Sequence, residues 1–83
     1  MKLWLLRPIT KKKGGPWDPW YDKSFGFVIC AETEESARKI ADKNAGDENL
    51  DDKHPWLKTS WSTCKELLPN DKEKLIMKDY ASA

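Results

Sequence analysis

The 83-residue sequence has no apolar run near the roughly 18 residues that a membrane span needs, and its N-terminal apolar stretch, Leu3 to Leu6, is too short for a signal h-region. It reads as a soluble, unexported chain with no membrane partner. Only two cysteines and one histidine are present. Structural zinc takes about four ligands, mostly Cys and His, so it is not expected, and no other metal is expected. Without an export signal, Cys30 and Cys64 are expected to be reduced and buried rather than bridged. Gly14-Gly15 follows no strand-to-helix junction and the other two glycines are isolated, which removes a phosphate-cradling loop and any expected nucleotide cofactor. A formal net charge of +1 argues against a protein that coats a nucleic-acid backbone. A chain of this length builds one core, so residues 1–83 form a single domain.

Charge and aromatics are present in quantity, and both are unevenly placed. Residues 1–30 carry +4, residues 31–52 carry −5 and residues 53–83 carry +2. Five tryptophans, two tyrosines and two phenylalanines supply large anchors for a small core or for an interface.

Lys2 to Arg7 reads as a strand with apolar side chains on both faces, Leu3 and Leu5 on one and Trp4 and Leu6 on the other, the pattern of an interior strand. Pro8 follows, and Lys11 to Trp20 holds two glycines, two prolines and a lysine run, hence a long loop. Ser24 to Cys30 is the clearest strand, and Gly26 within it marks a bulge or a close approach. Thr33 as N-cap, Glu34 and Glu35 in the first turn, the stripe of Ala37, Ile40, Ala41 and Ala45, and Gly46 as the stop predict a helix over 34–45. Residues 46–54 are an acidic surface connection. Strands follow over about 62–67, with a helix as the alternative there, and 74–80, joined as a hairpin by Pro69-Asn70-Asp71. The expected fold is α+β: a four-stranded antiparallel sheet in the order β-β-α-β-β, with one helix packed on one face.

One helix cannot cover both faces of such a sheet, so either the Leu3 and Leu5 set or the Trp4 and Leu6 set needs another cover. The 11–21 loop, a second copy in an isologous dimer, or a different protein can supply it. That shortfall points to a binder rather than an enzyme. Trp17, Trp20 and Tyr21 are the expected partner anchors, with Lys11, Lys12 and Lys13, or the acidic residues Asp47, Glu48, Asp51 and Asp52, as the electrostatic element. The same lysines and rings are the mixture that grips single-stranded nucleic acid, which supplies the alternative function, a nucleic-acid-binding accessory protein. Two other constellations fail on inspection. Asp47, Asn49 and Asp51 match the opening of a calcium loop, but Asp52 stands where glycine is needed and Lys58 where a bidentate Glu is needed. Cys30 or Cys64 with His54 lacks a third, orienting group at any recognisable spacing.

Taken together, the segments Lys2-Leu-Trp-Leu-Leu-Arg-Pro8, Trp17-Asp-Pro-Trp-Tyr-Asp22, Phe25-Gly-Phe-Val28, Ala45-Gly-Asp-Glu48, Pro55-Trp56 and Ser62-Thr-Cys64 resemble a group of small uncharacterised bacteriophage and prophage proteins. The resemblance covers most of the chain and carries no catalytic activity with it. It implies a bacterial host cytoplasm and a non-enzymatic module that binds a host protein or complex, with inhibition of a defence complex such as CRISPR as one form.

Overall fold

The computed structural model describes residues 1–10, 14–18, 22–69 and 73–79. Strand β1 (Lys2–Pro8) is the centre of a three-stranded sheet, flanked by β2 (Phe27–Ala31) and β3 (Ser62–Glu66). Both neighbours run antiparallel to it. β2 and β3 are therefore parallel to each other, and the helix α1 (Glu34–Lys43) connects them, so β1 is inserted into a split β-α-β unit. A strand apolar on both faces occupies the middle, where both its edges are paired.

The register separates the two faces. Trp4 lies opposite Ile29 and Glu66, and Leu6 opposite Phe27 and Cys64, on the side that α1 covers. Leu6, Ile29 and Ala31 are buried there against Ala37 and Ala41 of the helix. Ala37 and Ala41 bring the helix axis close to the sheet, whereas Ile40 of the predicted stripe is exposed and Ala45 lies past the helix end. Thr33 caps the helix, its hydroxyl accepting from the Ser36 amide at 3.1 Å. The helix ends at Lys43 with Asn44 as its cap, shorter than the predicted 34–45. Gly46 is no left-handed stop, since its φ is −88°. It leaves room instead for the Asp22 carbonyl, into which a Cβ would run.

Trp56 is the hub of the core. Trp17 meets it edge-on at 5.3 Å between ring centroids and Phe27 at 4.9 Å. Two buried charged side chains frame it. Glu48 is fully buried and accepts from the Trp56 indole at 2.7 Å, the Ser24 amide at 2.9 Å and the Gly46 amide at 3.1 Å. Arg38, on the covered face of α1, donates to the Trp56 carbonyl at 2.9 Å and to the Ser62 hydroxyl and carbonyl at 2.8 and 3.2 Å. Its Nε meets Glu34 one helical turn back at 2.9 Å. These bonds tie the irregular stretch 46–61, with its short 3-10 turns at Asp47–Asp52 and Pro55–Leu57, to the helix and to β3.

Three expectations are corrected. The sheet has three strands among the described residues, not four: 73–79 is irregular and exposed throughout, and Tyr80 lies outside them. Leu75, Ile76 and Met77 are consecutive apolar residues, not an alternating set, so the segment lacks the two-residue period of a half-buried strand. β3 pairs with β1 rather than in a local hairpin. The cysteines are free, yet Cys30 is exposed and Cys64 half-buried, because Cys30 lies on the face opposite the helix.

Candidate protein-binding surface

The helix-free face is built by the alternate residues of the three strands: Leu3, Leu5 and Arg7 of β1, Val28 and Cys30 of β2, and Thr63 and Lys65 of β3. Leu3 stands beside Cys30, and Leu5 lies between Val28 and Lys65. Leu3 is 49% and Val28 56% exposed, so two adjacent strands present branched apolar side chains to water. The Leu3 and Leu5 set is thus the uncovered one. At one end a groove of about 420 Å³ runs between Glu66, Leu67, Leu68, Pro69, Lys74 and Ile76. At the other end Arg7 pairs with Thr63, whose hydroxyl donates to the Arg7 carbonyl at 3.4 Å.

Trp17 is not an exposed anchor. It is 2% exposed, and its indole donates to the Ser24 carbonyl at 2.8 Å. The turn at 14–18, closed by the Asp18 amide on Gly15, carries the ring into the core beside Trp56, because an edge-on pair and a satisfied N–H outweigh an exposed ring. The described part of this loop packs into that core rather than over the helix-free face. Lys11, Lys12, Lys13, Trp20 and Tyr21 lie outside the described residues. Of the acidic group, Glu48 is wholly buried and cannot meet a partner. Asp47 is half-buried with its amide on the Asp22 carbonyl at 2.7 Å. Asp51 and Asp52 are exposed, at φ of 63° and 53°.

His54, also left-handed at φ 46°, is held between carboxylates: Nδ1 is 2.9 Å from Asp42 and Nε2 is 3.9 Å from Asp52. Its amide donates to Asn49, which in turn donates to Asp42. This arrangement fastens the acidic connection to the end of α1. Neither thiol bonds to the imidazole. Cys64 is on the covered face, where burial pushes its thiol above the ordinary value, an effect opposed by Arg38 and reinforced by Glu34. No group of three or more potential metal ligands forms among the described residues, and no helix there is long and apolar enough to cross a membrane.

The comparisons identify no relatives: no family model, no curated protein and no solved structure matches the chain.

The sequence does not single out Arg7 and Val28, which the fold places on the helix-free face. The signal was available in the double-faced pattern of β1, which requires an uncovered side, though not in which of its two sets would be left open.

Proposed function

We propose that the chain is a non-enzymatic protein-binding module, and that the helix-free sheet face docks on a host protein or complex. The carrying observation is the adjacent exposure of Leu3 and Val28 on a face that no regular element of the described residues covers. An exposed apolar patch rimmed by charge is the physical mark of an interaction site in a small domain. The phage and prophage resemblance supplies the setting, a bacterial cytoplasm, and the specific form, an inhibitor of a host defence complex such as CRISPR. A second copy is the poorer occupant, because a two-fold pairing of this face brings together two surfaces whose strand charges, Arg7 and Lys65, are both positive. Nucleic acid is less favoured, since Trp17, one of the rings expected to stack on bases, is in the core.

The test uses full-length protein as bait in a bacterial lysate, beside Val28→Lys on the proposed face and Lys39→Glu on the exposed side of α1. A partner retained by the wild type and by Lys39→Glu but lost by Val28→Lys is the expected result. The inhibitor form predicts that a bacterium with active CRISPR defence tolerates a targeted plasmid when the wild type is expressed and rejects it with Val28→Lys. Recovery of every specific partner by Val28→Lys at the wild-type level overturns the assignment of the face. Light scattering tests self-association, for which a mass near 9.6 kDa is expected.

A further inference from the structure

The charges that the three strands place on the helix-free face are all of one sign. Arg7 and Lys65 point from it, and no carboxylate belongs to the residues of the three strands that share it. Arg7 is also set for an anion. Gly26 allows its guanidinium to lie close along the backbone, since a Cβ there would stand 2.8 Å from Nη1. Nη1 is itself buried and makes no hydrogen bond to the described residues. Asp79 faces it across 3.6 Å, close enough for an ion pair and too far for a hydrogen bond. A guanidinium offers a planar fork of donors suited to both oxygens of a carboxylate, so this geometry leaves much of its capacity unused.

Asp79 belongs to a segment that runs back along the sheet. Lys74 and Ile76 line the groove beside Leu67, which bonds to Leu3 at one end of β1, whereas Asp79 meets Arg7 toward the other end. The three residues from 76 to 79 span roughly 10 Å when extended, of the order of the β1 length they accompany. Their seating is loose: Leu75 is 76%, Ile76 57% and Met77 40% exposed. Three apolar residues, followed by Lys78 and the Asp79 carboxylate, thus lie between the groove and Arg7 without being buried.

We propose that the face takes an extended protein segment bearing apolar side chains and one carboxylate seated on Arg7, and that residues 73–79 are a tethered occupant of the same chemistry that the partner displaces. This rests on the binding role of the face proposed above and adds the chemistry of the partner and a built-in competitor. The partner gains where the tail does not, by closing on Arg7 and burying Leu3 and Val28.

The experiment titrates ¹⁵N-labelled full-length protein with an amidated peptide of the sequence of residues 73–79, and with the same peptide carrying Asn in place of its Asp. The readouts are the amide signals of Leu5 and Val28 and the Nε–H signal of Arg7. The Asp peptide should bind about two- to fivefold more tightly than the Asn peptide, the range for a partly exposed ion pair. Arg7→Gln should abolish that difference while leaving the amide spectrum folded. Asp79→Asn, which weakens the tethered competitor, should bind the Asp peptide about two- to fivefold more tightly than the wild type does. Equal binding of the two peptides by both the wild type and Asp79→Asn, shifts confined to other surfaces, or no binding overturns the proposal. A partner lost on Val28→Lys, together with no preference for the Asp peptide, leaves the binding face standing and refutes the chemistry assigned to it.

Discussion

Replacing Glu48 by glutamine tests the claim that one buried carboxylate organises this core. Its two oxygens accept from three donors, the Ser24 amide on one and the Gly46 amide and Trp56 indole on the other. Glutamine keeps the volume but has one acceptor oxygen. Its best orientation leaves the oxygen on Gly46 and Trp56 and turns the NH₂ toward the Ser24 amide, donor against donor. One buried N–H then loses its partner, at about 1–3 kcal/mol, and the two remaining bonds lose the strength that a charged acceptor gives. Against a total stability of roughly 4–12 kcal/mol for a chain of this size, Glu48→Gln should lower the melting temperature by about 5–20 °C. Glu48→Ala strands all three donors and should leave little folded protein. Urea unfolding followed by tryptophan fluorescence measures this, and Trp56→Phe completes a double-mutant cycle, with a coupling of about 0.5–3 kcal/mol expected between the two sites. A Glu48→Gln protein within about 0.5 kcal/mol of the wild type, or no coupling to Trp56→Phe, would refute the reasoning.

Thr33→Ala removes the helix cap and should cost about 0.5–2 kcal/mol in the same urea assay, whereas Thr33→Ser should cost much less. Gly46→Ala pushes a methyl into the Asp22 carbonyl and should destabilise by about 1–3 kcal/mol, more than alanine at an open position. Arg38→Lys loses the planar fork shared by Trp56 and Ser62 and should cost about 1–3 kcal/mol by urea unfolding. Thiol titration with a disulfide reagent should modify Cys30 first and Cys64 later, the lag shrinking as pH rises. Because burial raises the Cys64 thiol in the folded state, the unfolded chain loses that proton first. Stability is then full below the ordinary thiol range and declines as pH climbs through the raised value, and Cys64→Ala should flatten that decline.

Much of the scaffold was legible because it is local. The Thr33 cap, the acidic first turn and the alanine stripe are contained within about a dozen residues, and they produced the helix at its expected start. The double-faced pattern of β1 required a central strand with one face left over. The end of the helix was less legible, since Asn44 closes it with a bond from its side chain to the Ile40 carbonyl, and Gly46 serves a contact with distant Asp22.

The candidate site was legible only in part. Trp17 and Glu48 look exposed in the sequence because one sits among glycines and prolines and the other in an acidic run. Burial was decided by Trp56, which lies 39 residues beyond the first and eight beyond the second, and which packs at right angles to the ring of one and offers an indole N–H to the other. No local window contains that exchange.

A small α+β architecture follows from local pattern alone, because hydrophobic periodicity and caps act between near neighbours whose spacing is written in the chain. Long-range packing instead sets the pairing of β3 with β1, the place of 73–79 outside the sheet, and the burial of Trp17 and Glu48 in the core. Those outcomes depend on which distant partners satisfy buried polar groups and which strand edges find a neighbour, and both are settled only when the whole chain is packed.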